Sequence, residues 1–105
     1  MTARERPANR RSCESLSFRH GGMDYVASIA RYDDGRLAEI FLTNHKVGSD
    51  AEAAARDSAV VCSIALQFGV PVEIIHKALL RDSGGNPSSP LGVALALLAD
   101  REAAP

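Results

Sequence analysis

The chain has no tryptophan, few aromatic residues, two cysteines and no long hydrophobic run. Aromatic residues make up 5% of its 105 positions, which argues against the stacking platforms that bind single-stranded nucleic acid. Two cysteines cannot form a disulfide framework, so we expect Cys13 and Cys62 to be reduced thiols of an intracellular protein. No apolar run approaches the roughly 18 residues of a membrane span, and charged residues stand where a signal peptide has its apolar region. These absences predict a cytoplasmic protein with no membrane partner.

Motifs for metal binding and catalysis are also missing. The sequence contains no C-x-x-C pair and no H-x-x-x-H pair, and it has no paired carboxylates at metal-ligand spacing. Cys62 lies among Val60, Val61 and Ile64 without a cationic neighbour, as is typical of an inert buried thiol rather than a nucleophile. No residues form a recognisable set of nucleophile, base and oxyanion donors. We therefore expect no metal and no cofactor, and a free-standing enzyme is the least favoured function.

Length and charge predict one domain that follows a basic arm. A chain of 105 residues, 46% of them hydrophobic, can bury one modest core. Residues 1–12 contain four arginines and one glutamate, a charge of +3, whereas the remainder carries −4. We expect a flexible arm over residues 1–12, a single domain over 13–102 and a disordered tail over 103–105. The arm residues that are candidates for contact with phosphates or an acidic partner are Arg4, Arg6, Arg10 and Arg11.

The longest regular pattern predicts a helix over residues 50–68. Ser49 occupies an N-cap position and Glu52 follows three residues later, which together form a capping box. Gly69 suits the left-handed position after a helix, and Pro71 cannot continue it. Apolar residues at helical spacing predict that one face of this helix is buried. The residues of that face are Ala53, Val60, Val61, Ile64 and Phe68.

Three strands are predicted before this helix and two helices after it. Leu16 and Phe18 alternate with polar residues as in a half-buried strand, and glycine-containing turns separate three such segments. The predicted strands cover residues 14–19, 23–32 and 37–43, and the later helices cover 71–81 and 91–101. The order β-β-β-α-α-α indicates an α+β fold in which the helices pack on one face of a three-stranded antiparallel meander. Such a sheet has two open edges, which favour self-association unless charged residues blunt them.

The last predicted helix is apolar on nearly every side until Asp100. One set of its residues can face the core: Leu91, Ala94, Leu95 and Leu98. A second set, Val93, Ala96 and Leu97, faces elsewhere and is a candidate interface with another subunit or a larger partner. We expect a homo-oligomer, with a dimer favoured.

The start of the long helix is a candidate anion site. Free backbone N–H groups and the positive end of the helix dipole attract anions, and the adjacent residues Lys46, Gly48 and Ser49 add a positive charge and room for close approach. The capping box competes with this interpretation, because Ser49 and Glu52 would occupy the same donors. Both possibilities remain open from the sequence.

Four segments together carry a family resemblance. With Ala38-Glu39-Ile40-Phe41-Leu42, Lys46-Val47-Gly48-Ser49-Asp50, Gly69-Val70-Pro71 and Ser88-Ser89-Pro90-Leu91-Gly92, the sequence resembles the TSCPD domain over about residues 11–100. This domain is found near the C-terminus of adenosylcobalamin-dependent (class II) ribonucleotide reductases and as small free-standing proteins. In the naming motif Thr-Ser-Cys-Pro-Asp, the cysteine corresponds here to Ser89 and the aspartate to Leu91. Any thiol or carboxylate role of those positions is therefore absent.

The resemblance implies a non-catalytic accessory or regulatory module associated with a class II ribonucleotide reductase, and hence with deoxyribonucleotide synthesis. A different class of function also stays open. A small nucleotide-binding or nucleic-acid-binding domain could use the basic arm and the helix N-terminus from Lys46 to Ser49, and its binding would weaken steeply with salt.

Overall fold

The structure is a computed structural model that describes residues 3–8, 13–46 and 48–103. Three strands are followed by three helices, which confirms the predicted order and the α+β class. The elements are β1 (Cys13–His20), β2 (Met23–Arg31), β3 (Leu37–Asn44), α1 (Asp50–Gln67), α2 (Val72–Ala78) and α3 (Pro90–Ala103). Within the described residues, no helix combines the length and the hydropathy needed to cross a bilayer.

The strands form one antiparallel sheet in the order β1-β2-β3. A two-residue turn joins β1 to β2, and its residues Gly21 and Gly22 have φ angles of +59° and +78°, which the hairpin needs and glycine adopts at low cost. Two backbone hydrogen bonds close the β2–β3 turn: the Tyr32 N–H donates to the Arg36 oxygen, and the Gly35 N–H donates to the Tyr32 oxygen. Both connections fall where glycine and aspartate predicted them.

Helix α2 is shorter than the sequence predicts. It ends at Ala78 because Leu79 adopts an extended conformation, with ψ at 149°. The guanidinium of Arg81 then donates to the backbone oxygens of His76, Lys77 and Leu79. A side chain predicted to lie in the helix instead satisfies the carbonyl groups at its end.

The core lies between one face of the sheet and the helices α1 and α3. Ile29, Ile40, Leu42 and Leu95 are its largest fully buried side chains. The four residues of α3 predicted to face the core are all buried, which confirms that part of the prediction. They are Leu91, Ala94, Leu95 and Leu98.

The buried face of α1 is not the predicted one, and this prediction was wrong. Val61 is 67% exposed and Val60 47% exposed, while Ile64 and Phe68 are also on the surface and Ala53 is exposed. The residues that α1 does bury are small or polar, with one leucine. They are Glu52, Ala55, Ala59, Cys62, Ser63, Leu66 and Gln67. Helix α1 has therefore turned its larger apolar residues outward.

Hydrogen bonds between α1 and the outer edge of β3 explain why α1 faces the sheet with its smaller and more polar residues. The Ser63 hydroxyl accepts from the Ile40 N–H at 2.9 Å and donates to the Ile40 oxygen at 3.0 Å. The Gln67 amide donates to the Ala38 oxygen at 3.1 Å. A buried backbone group without a partner costs free energy, so these polar side chains must face β3. The β3 edge is consequently covered by α1 rather than exposed.

We predict that Ser63→Ala lowers the free energy of unfolding by about 1 to 3 kcal/mol, because it leaves the N–H and C=O of Ile40 without partners in a buried place. Urea denaturation followed by circular dichroism measures the change. Ser58→Ala on the same helix is the matched control, since the Ser58 hydroxyl only donates to the Ala55 oxygen one turn earlier. We expect that control to change stability by less than about 0.5 kcal/mol. Equal losses in the two variants would contradict the role of Ser63.

Candidate functional site

The structure brings Lys46, Gly48 and Ser49 together at the start of α1, beside a buried carboxylate. The Ser49 hydroxyl accepts from the Glu52 N–H at 3.1 Å, and the Gly48 N–H donates to the Glu52 carboxylate at 3.4 Å. Glu52 is only 6% exposed. The capping box is thus formed, and its carboxylate occupies the place that an external anion would take. The anion site stays a prediction, and any anion would have to displace Glu52; Val47 lies outside the described residues.

Part of the basic arm lies against the folded domain. The Glu5 N–H donates to the Gln67 oxygen and the Arg4 guanidinium donates to the Gln67 side chain, both at 2.7 Å. The Tyr32 hydroxyl donates to the Glu5 backbone oxygen. Arg4 and Arg6 line a shallow groove of about 370 Å³ whose wall includes Glu39. Arg10 and Arg11 lie outside the described residues, and the flexibility of residues 1–12 stays a prediction.

The three α3 residues proposed as a partner interface are half-buried. Val93, Ala96 and Leu97 are each of intermediate exposure, although helical spacing places them away from the fully buried face of α3. Arg101, one turn after Leu97, reaches Glu14 of β1 at 3.6 Å. This ion pair places the Leu97 side of α3 above the outer strand of the sheet. Whether that side contacts a partner stays a prediction.

A larger cleft, of about 920 Å³, was not predicted from the sequence. It lies between the β2–β3 hairpin, the end of α1, and the helices α2 and α3. Its floor is apolar and includes Leu66, Leu95 and Leu98, whereas one wall carries the polar residues of the hairpin. On the opposite wall, Nε2 of His76 is buried and has no hydrogen-bond partner among the described residues. The cleft therefore offers an apolar surface and one available imidazole nitrogen.

The charges of the hairpin wall are balanced internally. Arg36 donates to Asp34 at 2.7 Å and to Glu5 at 3.1 Å, and it lies 4.5 Å from the centre of the Tyr32 ring. Hydrogen bonds from Arg36 lower the pKa of Asp34, while desolvation, followed by the Glu5 charge, raises the pKa of Tyr32. At neutral pH the Tyr32 hydroxyl therefore stays protonated and the Asp34 carboxylate stays charged. This wall can position a ligand by hydrogen bonds, but its positive charge is already neutralised.

Sequence reasoning missed this cleft because its walls come from four separate elements. His76 reads as an ordinary helical residue, and residues 33–35 read only as a turn. Their proximity follows from the packing of α2 and α3 beside the hairpin. Neither in this cleft nor in any other part of the described chain is a group of three or more His, Cys, Asp or Glu side chains placed to hold a metal ion.

The two thiols differ sharply in environment. Cys13 is exposed, whereas Cys62 is buried in the core, and neither forms a disulfide. Burial raises the pKa of Cys62 from about 9 to about 11, because the thiolate cannot be solvated there. Burial and the raised pKa therefore explain why the Cys62 thiol is expected to be unreactive.

We predict that one thiol per folded chain, that of Cys13, reacts rapidly with Ellman's reagent at pH 8, and that Cys62 reacts only after unfolding in guanidinium. The Cys13→Ser variant should then show no rapid reaction. The unfolded chain loses the Cys62 proton near pH 9 while the folded chain keeps it to about pH 11. The stability that this residue contributes is thus complete below pH 9 and is lost between about pH 9 and 11. Rapid modification of Cys62 in the folded chain would contradict its burial.

Comparison with known proteins gives one family and a consistent group of relatives. The TSCPD domain model matches residues 2–100. Vitamin B12-dependent ribonucleotide reductases of Bradyrhizobium diazoefficiens and Agrobacterium fabrum are each 36% identical, over 73 and 70 residues. The corresponding reductase of Rhodopirellula baltica is 35% identical over 72 residues. No solved structure matches the chain.

The matched region is most of this chain but a small part of each relative. It covers 70%, 67% and 69% of the chain in the three comparisons, and 6%, 6% and 7% of the respective reductases. The family match, by contrast, extends over almost the whole sequence and includes the first five elements of the fold and most of α3. This chain belongs to the TSCPD domain family.

Proposed function

We propose that the chain is a non-catalytic accessory or regulatory module that associates with a B12-dependent ribonucleotide reductase, and so takes part in deoxyribonucleotide synthesis. The observation that supports this proposal is the match between this chain and a short region of such reductases. The matched region is a small part of each relative, and most of each relative has no counterpart in this sequence. We further propose that it acts in the cytoplasm.

The surface best suited to such a partner is the outward side of α1. We call it the α1 stripe and define it as Val60, Val61, Ile64 and Phe68. Phe41 of β3 is also exposed and lines the same groove as Val60 and Ile64. Burial of apolar surface contributes roughly 25 cal/mol per Å², and contiguous exposed apolar patches commonly mark interaction sites.

The position of the domain in the relatives supports this choice. There it is part of the same chain as the rest of the reductase, so one of its surfaces can be covered by its neighbour. The α1 stripe exposes more apolar side-chain surface than Val93, Ala96 and Leu97, which are already half-buried. We therefore assign the reductase contact to α1 and not to α3.

The first test is capture of the tagged chain from an extract of its own host, with and without ATP and adenosylcobalamin, read by mass spectrometry. We expect a B12-dependent ribonucleotide reductase at near-stoichiometric yield. The affinity of the purified pair can then be measured by calorimetry. Recovery of nucleic acid, with binding that weakens steeply with salt, would instead support the nucleic-acid-binding alternative. Failure to recover any reductase would contradict the proposed association.

We predict that Val61→Glu weakens binding to that reductase by roughly 10- to 100-fold, because a buried valine contributes about 1.5 to 3 kcal/mol and an unpaired charge adds a desolvation cost. The matched control is Ile74→Glu, since Ile74 of α2 is also exposed, at 59%, but lies outside the stripe. The control should bind as the parent chain does. Equal effects of the two substitutions would refute the α1 stripe as the contact surface.

A further inference from the structure

The two edges of the sheet differ in how their backbone groups are satisfied. Polar side chains of α1 bond to the β3 edge through Ser63 and Gln67. The β1 edge has no such cover within residues 3–8, 13–46 and 48–103, where the sheet contains three strands and β1 is the last in order. An open strand edge is a template for pairing with another strand.

The register shows which groups of β1 point outward. His20 pairs with Met23 across the two-residue turn, and the pair that closes such a turn exchanges both backbone hydrogen bonds. The even-numbered residues of β1 therefore bond to β2, and the odd-numbered ones direct their N–H and C=O groups away from the sheet. Ser15, Ser17 and Arg19 consequently present an unbonded backbone edge. The β3 edge supports the same alternation, because Ala38 and Ile40, whose groups bond to α1, are likewise spaced by two.

The charges that commonly protect an edge are already engaged inside the protomer. Arg19 pairs with Asp24 at 2.9 Å. Glu14 contacts Arg31 at 3.4 Å and Arg101 at 3.6 Å. Between these two charged residues the strand contains only serines, Leu16 and Phe18, with no proline and no bulge in its pairing with β2. The edge is thus regular and lacks the usual obstacles to strand addition.

We propose that a second copy of this chain pairs with it through β1, antiparallel and with the two-fold axis at Ser17, to give a continuous six-stranded sheet. In this register Ser17 lies opposite Ser17 of the second copy, and Ser15 lies opposite Arg19. On the core face, Leu16 meets Phe18, so that apolar side chains meet each other. Glu14 meets His20, so that a carboxylate faces an imidazole that can donate a hydrogen bond to it.

The register is set by this self-complementarity. A shift of two residues would place Glu14 opposite Phe18 and remove the match between Glu14 and His20, whereas apolar residues would still meet because Leu16 would face Leu16. Cross-strand pairs of apolar residues and of opposite charges are the ones that stabilise antiparallel ladders. An isologous two-fold interface requires the same strand to match itself in this way.

Helix α3 extends the same contact into a second layer. The ion pair between Arg101 and Glu14 holds the Leu97 side of α3 above β1. Val93 lies one turn before Leu97 and is half-buried as well. Two copies related about Ser17 would bring these sides of their α3 helices together and complete their burial. The dimer does not depend on the reductase association, because the α1 stripe lies beside β3, at the opposite edge of the sheet.

Cysteine cross-linking of the full chain tests the register. In a Cys13→Ser background, Ser17→Cys should form a disulfide-linked dimer under mild oxidation, read on a non-reducing gel, because the two Ser17 positions face each other across the axis. Ser15→Cys is the matched control, since Ser15 is exposed on the same strand as Ser17. In this register Ser15 faces Arg19 of the second copy, so the two copies of residue 15 are four residues, or roughly 13 Å, apart along the strands. That distance is beyond the reach of a disulfide. Efficient cross-linking at position 15, or none at position 17, would overturn this register.

Measurement of the oligomeric state tests whether the backbone edge of β1 forms the dimer. Sedimentation velocity at micromolar concentration should show a dimer. Ser17→Pro removes an outward N–H without touching the bonds to β2, so it should raise the dimer dissociation constant about tenfold or more. Ser17→Ala keeps the N–H and should leave the dimer dissociation constant unchanged. Circular dichroism checks that both variants fold. A monomeric parent chain, or a dimer equally tight in the proline variant, would overturn the proposal.

Discussion

The hydroxyl of Ser63 and the amide of Gln67 decide how the rest of the domain is arranged. They bond to backbone groups of Ile40 and Ala38 on the outer edge of β3, where no further strand pairs within the part of the chain that the structure describes. A helix can direct only one side towards a neighbour, so the need to satisfy these buried groups fixes the rotation of α1 about its axis. Hydrophobic burial alone would favour the opposite rotation, since Val61 is larger and less polar than Ser63. The cost of unbonded, buried peptide groups outweighs the transfer of a few apolar side chains.

This rotation has consequences on both sides of the sheet. On the β3 side it closes one edge and leaves the α1 stripe exposed, together with Phe41. On the β1 side nothing comparable occurs in the described residues, because α3 lies above the face of that strand and not beside its edge. A single domain with three strands can cover one edge with its long helix. The remaining edge and the outward apolar residues are the parts that can serve association.

The sequence predicts the element order and the ends of most elements well, since local chemistry controls them. Ser49 and Glu52 form the cap that their spacing indicated, and the turn at Gly21 and Gly22 is where two glycines predicted it. The buried face of α1 could not be read in the same way. Helical periodicity ranks faces by apolar content, and it contains no information about which backbone groups a helix must satisfy. In this chain a serine and a glutamine on the less apolar face were the relevant signal.

The candidate cleft shows a second limit of the same kind. Its apolar floor was partly predicted, because Leu95 and Leu98 were expected to face inward and do so. The polar wall was not, since the pairing of Arg36 with Glu5 joins positions 31 residues apart. Contacts of this range depend on how the hairpin, the arm and the helices are packed. The spacing of apolar residues along the sequence therefore predicted the burial of Leu95 and Leu98. It did not predict which polar residues contact each other.

The segment that corresponds to the naming motif of the family has a structural role in this chain. The Ser89 hydroxyl accepts from the Gly92 N–H at 3.2 Å, and the Ser89 backbone oxygen accepts from the Val93 N–H at 3.0 Å. Ser89 is thus the cap of α3, and Pro90 is its first residue, where proline is favoured. A side chain at Gly92 would come within 3.1 Å of Pro87, so the turn is packed tightly around this cap. A hydroxyl suits that position well as a hydrogen-bond acceptor, and in this chain the segment caps the start of α3.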